Sequence, residues 1–234
     1  AHVGKTAAVI ASDYLAGHDI ADAFKDFFAK GGGKVVKEIY TPVGPPAFRD
    51  SLSELGAKPA PITYVFYSGS DAVRFVTQFD RFGMKAKTQL VTFQSVLDSD
   101  TFTAQGKSAL GGLSSSIYCE TLDTPENKAY VALFQSKNHG KMPGVFDESG
   151  YTAMRIIADA VTAVGGKIED RPAFLAAVGK TNIHAARGPV RFDPVTHQAI
   201  QNVYIRKVVE IDGGIHNQLV ETYPNVGDYP PNEA

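Results

Sequence analysis

The sequence predicts an α/β fold built on a doubly wound parallel sheet, and three features carry that expectation. Apolar runs without alternation, such as Ala7-Ala8-Val9-Ile10-Ala11, suit parallel strands covered on both faces. Each run ends in a short polar loop that opens an amphipathic helix. Strand and helix then alternate with short connections as far as Tyr118, and such βαβ repeats form a parallel sheet with right-handed crossovers.

The first repeat runs from Lys5 to Phe28. Its strand leads into Ser12-Asp13-Tyr14-Leu15-Ala16-Gly17, after which Ile20, Phe24, Phe27 and Phe28 recur at the spacing of one buried helical stripe. Gly31-Gly32-Gly33 closes that helix, because glycine accepts the left-handed conformation at a helix C-terminus. Lys34 to Tyr40 is the next strand, Thr41 to Pro46 is a rigid loop, and Phe48, Leu52 and Leu55 mark a short helix. The strand Ile62 to Tyr67 exits through Ser68-Gly69-Ser70-Asp71. There Ser70 or Asp71 would cap a helix whose apolar face is Ala72, Phe75, Val76, Phe79 and Phe82. Gln89 to Thr92 follows as a strand with Phe93-Gln94-Ser95 as its exit loop, and Ser114 to Tyr118 is a further strand.

The alternation breaks at Glu120 to Pro125. A helix beginning at Pro125 carries Tyr130, Leu133 and Phe134, a longer one carries Ala153, Ile157, Ala160, Val161 and Val164, and a short one covers Pro172 to Val178. Successive helices without a strand between them place a domain crossing at Glu120 to Pro125. Gly188 to Asp193 reads as a short strand and turn. Val203 to Ile211 reads as a longer alternating strand, closed by Asp212-Gly213-Gly214 and able to pair antiparallel with the sheet edge. The tail from Tyr223 to Ala234, with Pro224, Pro230 and Pro231, reads as extended or poorly ordered.

The 234 residues, 44% of them hydrophobic, suffice for a sizeable core in one large or two small domains. A net charge of -2 with scattered Lys and Arg gives no electrostatic footprint for nucleic acid, which is not expected as a partner. No run approaches the roughly 20 apolar residues a bilayer crossing needs, and no leader opens the chain. The expectation is a cytosolic protein or one whose leader is missing from this sequence. Cys119, the only cysteine, reads as a small buried hydrophobe. The histidines lack the paired short spacing of zinc ligands, and Ser114-Ser115-Ser116 lacks the glycine elbow of a hydrolase nucleophile. The Gly31 to Gly33 run ends a helix where a phosphate site would open one. No metal, cofactor or catalytic residue is expected.

Several segments, taken in order, resemble a known family: Ala7 to Gly17 (AAVIASDYLAG), Gly31 to Val36, Phe66-Tyr67-Ser68-Gly69, Leu122 to Lys128, Gly150-Tyr151-Thr152-Ala153 and Gly188 to Asp193. Over nearly the whole chain they are similar to the type I periplasmic solute-binding proteins of the leucine/isoleucine/valine-binding class. The resemblance implies the periplasmic binding protein type I-like fold, two lobes that close on a small-molecule solute, and an importer subunit serving a membrane permease. Its location would be periplasmic, or extracellular and membrane-tethered. It further implies that an N-terminal lobe segment of complete members has no counterpart here. Residues 1–121 plus 204–234 would be lobe two, and 122–203 the C-terminal helices of an incomplete lobe one. The apolar faces of those helices call for the missing segment, an associated proteolytic remnant or a swapped dimer partner.

By the resemblance, lobe two offers the solute three loops: Asp13 to Gly17, Tyr67 to Asp71 and Phe93 to Ser95. Independently, all three lie at carboxyl ends of predicted parallel strands, where α/β sheets take ligands. The candidate ligand-binding residues are Tyr14, Ala16, Tyr67, Ser68, Ser70, Asp71, Phe93, Gln94 and Phe146. Ser70 and Asp71 fit a helix cap as well as a ligand contact, Phe93 and Phe146 fit core packing as well as a pocket, and Phe66 reads as core. Gln94 stands where branched-chain amino-acid binders place a glutamate on the ligand's ammonium group. An amide does not supply the charge that a buried ammonium requires, unless Asp13, Asp71 or Glu148 turns in to supply it. Ala16 stands where many relatives carry an aromatic ring, which leaves room beside Tyr14 and Tyr67. Together these imply a flat carboxylate without an amine, such as a benzoate or cinnamate derivative. Two other readings stay open: a branched-chain amino-acid binding protein, and the ligand-sensing domain of a receptor or regulator with the same fold. An enzyme is supported by no residue cluster.

Overall fold

The structure, a computed structural model, describes residues 3–44 and 47–227. They divide into two compact units, 3–115 with 206–218 and 116–205 with 219–227.

The first unit opens with β1 (Thr6–Ser12), α1 (Leu15–Lys30), β2 (Lys34–Thr41), α2 (Arg49–Ala57), β3 (Ile62–Phe66) and α3 (Gly69–Arg81). It continues with β4 (Gln89–Phe93), α4 (Ser99–Gln105) and β5 (Leu113–Ser116). The strands lie in the order β2-β1-β3-β4-β5, every neighbouring pair parallel. Val9 pairs with Tyr64 and Tyr64 with Val91, so β1, β3 and β4 are consecutive in one sheet. Beyond β5, Val208 exchanges 2.9 Å backbone hydrogen bonds with Gly111 and Gly112.

The pleat sorts the apolar residues onto two faces, since neighbours in a strand point to opposite sides. Ala8, Ile10, Val65 and Tyr67 meet α2, α3 and α4 through Phe48, Leu52, Phe75, Val76, Phe79 and Phe102. Val9 and Tyr64 meet α1 through Ala21 and Phe24 on the other face, with Phe24 stacked on Tyr64 at 4.0 Å. Helices on both faces make the sheet doubly wound, and each fully buried side chain contributes about 1.5–3 kcal/mol. Gly17 lets α1 start tight against the strand it follows: a Cβ there would stand 1.9 Å from the Ser12 carbonyl oxygen.

The second unit holds α5 (Pro125–Lys137), α6 (Val145–Ala163), α7 (Arg171–Gly179), β6 (Asn182–Ala185) and β7 (Gly188–Phe192). β8 (Ala199–Ile211) and β9 (Gly214–Val226) run through both units. Thr124 caps α5 by accepting from the Asn127 N–H at 3.2 Å, with Pro125 in the first turn where its missing N–H costs nothing. β6, β7 and β8 pair antiparallel. Tyr118, Tyr130, Val145 and Tyr204 form one core cluster and Ile156, Ala185 and Val190 another. The apolar residues expected on the long helix do not all find cover: Ile157 is 41% exposed, and Val161 and Val164 are half-buried.

Several local expectations are corrected. The strand expected to reach Tyr118 ends at Ser116, and β8 begins at Ala199, earlier than Val203. α4, β6 and β9 are additional elements, and Tyr223 to Val226 belong to β9. The remainder of the tail from Asp228 onward lies outside the described residues, as do Pro45 and Pro46.

Candidate ligand-binding site

Strand order reverses direction at β1, whose neighbours β2 and β3 lie on opposite sides of it. At such a switch point the loops leaving adjacent strands diverge to opposite faces of the sheet, and the crevice between them takes the ligand. The loops after β1 and β3 flank this crevice, and the loop after β4 lies next to them.

Two helices start here, both without a side-chain cap. Tyr14 precedes α1 and Ser68 precedes α3, each with an extended backbone; neither side chain accepts a hydrogen bond from its helix, while the carbonyl of each accepts from the third and fourth N–H groups. α1 has no acidic residue in its first turn. First-turn N–H groups left uncapped carry the positive end of the helix dipole and favour an anion. The expected cap at Ser70 or Asp71 is thereby corrected: Asp71 is 6% exposed, accepts from the Gly44 N–H at 2.8 Å and pairs with Arg74. Its carboxylate fastens the loop after β2.

The crevice wall is aromatic. Tyr14, 42% exposed, lies 6.3 Å from Phe66, and Phe66 lies 5.6 Å from Phe93. The three rings span the ends of β1, β3 and β4, with the largely buried Phe66 between its more open neighbours. Ala16 and Gln94 are half-buried, and Ser68 and Ser70 are exposed.

Tyr67 goes elsewhere. The pleat that turns Phe66 to the wall turns Tyr67 into the core, where it is fully buried between Phe48 at 4.9 Å and Phe75 at 5.1 Å. Its hydroxyl hydrogen-bonds Thr41 Oγ1 at 2.9 Å, and burial pushes the phenol well above its usual range. The Tyr67 carbonyl still serves the site, since it accepts from Ser95 Oγ at 2.8 Å and ties the β3 and β4 exits together. Phe66, expected as core, is buried at 6% exposure; the expectation that Tyr67 faces the ligand is the one corrected, and the parity of Tyr64-Val65-Phe66-Tyr67 was the signal that could have shown it.

The other carboxylates considered as a counter-charge for an ammonium are engaged elsewhere or exposed. Asp13 is exposed and bonded to His18 Nε2 at 2.9 Å, while His18 stacks on Tyr40 at 4.1 Å. Glu148, in the second unit, is fully buried, pairs with Arg187 and accepts from Thr152 Oγ1 at 2.6 Å. Phe146 opens α6 in that unit and is 63% exposed. Among the described residues no cluster of His, Cys, Asp and Glu could hold a metal ion, and no helix is long and apolar enough to cross a membrane.

The Tyr14, Phe66 and Phe93 rings and the starts of α1 and α3, which lack side-chain caps, thus lie together at the switch point. Comparison with known proteins gives the class. The periplasmic binding protein family model matches residues 1–214, and the chain belongs to that family, whose members are solute-binding proteins of ABC transporters and not enzymes. A Leu/Ile/Val-binding protein homolog 6 from Brucella melitensis is 30% identical over 223 residues, covering 94% of this chain and 57% of the relative. An ABC transporter substrate-binding protein from Sphaerobacter thermophilus superposes with a TM-score of 0.89 at 31% identity, covering 94% of this chain and 61% of that one. A solute-binding protein of an R. palustris ABC transporter, solved with 4-hydroxybenzoate, superposes at 0.87 with 32% identity and covers 94% and 61%. The chain therefore has the type I periplasmic binding protein fold and spans about 60% of the length of the proteins it matches.

Proposed function

We propose that the whole protein is the extracytoplasmic solute-binding component of an ABC importer and that its solute is an aromatic carboxylate of the hydroxybenzoate type. The observation that carries this reading is the Tyr14–Phe66–Phe93 wall beside two uncapped helix N-termini. A ring stacks on such a wall with about 0.5–1.5 kcal/mol per aromatic pair, and the backbone donors suit a carboxylate. Gln94 supports it further, because an amide offers a phenol or carboxylate a neutral partner and offers an ammonium no counter-charge. The R. palustris relative solved with 4-hydroxybenzoate is consistent with that chemistry.

In this reading the ligand contacts of the first unit are Tyr14, Ala16, Ser68, Ser70, Phe93 and Gln94, with Tyr67 acting through its carbonyl. Residues 1–121 with 204–234 form one lobe and 122–203 belong to the other. Further chain of the whole protein covers the exposed apolar residues of α6 and α7, and the loaded protein delivers its solute to a membrane permease from the periplasmic side.

Calorimetry on the full-length protein tests the solute. 4-Hydroxybenzoate should bind at least about tenfold tighter than leucine, a difference of about 1.4 kcal/mol. Gln94→Glu should narrow or reverse that preference by restoring a carboxylate for an ammonium. Tighter leucine binding by the unaltered protein would overturn the reading.

A further inference from the structure

The loop that carries Phe93, Gln94 and Ser95 is fastened at successive residues by groups outside the ligand wall. Ser95 Oγ donates to the Tyr67 carbonyl, and Gln105 Nε2 donates to the Val96 carbonyl at 2.7 Å. The next two residues are held by Arg206 of β8, which is fully buried. Its Nη2 donates to the Leu97 carbonyl at 2.9 Å, its Nη1 to Asp98 Oδ1 at 3.0 Å and its Nε to Ser114 Oγ at 3.2 Å. Asn217 Nδ2 of β9 also points at the Leu97 carbonyl, at 3.5 Å. Val96 and Leu97 are themselves fully buried, and Asp98 is the N-cap of α4.

A buried arginine–aspartate pair is a poor way to gain stability, because desolvating both charges offsets most of their attraction, and apolar residues of similar volume often do as well or better. What apolar residues cannot do is donate to a carbonyl and hold a carboxylate in one orientation. Here both are used on the end of one ligand loop. We infer that Arg206 is a positioning residue for the solute site: with Asp98 it fixes the backbone of Phe93 to Asp98, and so the placement of the Phe93 ring and the Gln94 amide, without touching the ligand. The inference rests on the aromatic-acid reading only for its choice of probe.

The test uses the full-length protein carrying Arg206→Met with Asp98→Leu, which removes both charges together and keeps the volume apolar. Hydrogen–deuterium exchange without ligand and calorimetric titration with 4-hydroxybenzoate are both measured. The expected result is an unfolding transition that stays cooperative and is lowered by loss of the Asp98 cap on α4, at least tenfold faster exchange confined to residues 93–98 and the first turn of α4, and at least tenfold weaker binding. Unchanged exchange, or faster exchange with unchanged affinity, overturns the inference. If the unaltered protein fails to bind 4-hydroxybenzoate, the aromatic-acid reading falls and the exchange result alone decides the role of Arg206. If the double variant does not fold, Arg206→Lys takes its place, since a lysine keeps the charge but not the fork that reaches Leu97 and Ser114 together. Threefold or greater local acceleration supports the role, and unaltered exchange rejects it.

Discussion

The two units differ in where their helices put their apolar faces. In the first, α2, α3 and α4 lie on one face of a parallel sheet and α1 on the other, and Phe48, Leu52, Phe75 and Phe79 are all 1% exposed or less. In the second, α6 and α7 leave Phe146, Tyr151, Met154, Ile157 and Leu175 between 41% and 66% exposed. The contrast follows from sheet topology. Five parallel strands offer two broad faces and absorb helices on both, whereas the short antiparallel β6 and β7 meet α6 and α7 in a small apolar cluster through Ile156 and Val178. All the site candidates except Phe146 lie on the first unit, where the wall is backed by a packed core.

The largest effects should come from breaking what each unit has already completed. Phe75→Ala, in the first unit's core, should cost about 3–5 kcal/mol through lost burial and the cavity left behind, read as a shift of the denaturant midpoint. Glu148→Ala should cost about 3–5 kcal/mol as well, because it strands Arg187, which is 5% exposed and whose remaining partners Ser149 and Gln201 are neutral. A cost below 1 kcal/mol at Glu148 would show that the second unit's interior is open to water. That would make the contrast between the units sharper than drawn here.

A smaller effect separates Tyr67 from the wall residues. Its phenol is raised chiefly by burial, so the stability its neutral form contributes is fully present below pH 10 and is lost as pH rises toward the higher folded-state value. Tyr67→Phe should lose about 1 kcal/mol at neutral pH with the Thr41 hydrogen bond, and its melting temperature should then fall less steeply above pH 10. A ligand-facing Tyr67 would behave otherwise, since its substitution would weaken solute binding and leave the alkaline transition as it was.

Much of this was legible in the residues. Unalternated runs such as Ala7 to Ala11 specify buried parallel strands, and glycines and prolines mark their exits, so the three strand-exit loops were found as backbone positions. Which side chain of each loop faces the crevice was not legible, because a shift of one residue along a strand exchanges its faces, as at Phe66 and Tyr67. α4 escaped because SDTFTAQ carries one large apolar residue and no stripe, and β9 because its outer half is exposed and contains Pro224. Arg206 sits in an alternating strand where its charge reads as solvated. Partners brought up by β5 and the β4–α4 loop help make its burial tolerable.

The smallest expected effect is the most direct check on the comparison. Met154 is 62% exposed on α6, with Ile157 one turn further on at 41%. Replacing an exposed side chain that touches little changes stability by about 0.5 kcal/mol or less. Met154→Ser in this chain alone should therefore leave the denaturant midpoint nearly unchanged, against the several kcal/mol lost at Phe75. In the full-length protein the same substitution should cost about 2 kcal/mol or more if further chain covers α6, because the methionine would then be a core residue. A small cost in both proteins would mean that α6 keeps its apolar face in water. A large cost in this chain alone would mean that a second copy already covers it, and sedimentation of the unaltered chain would then show a dimer.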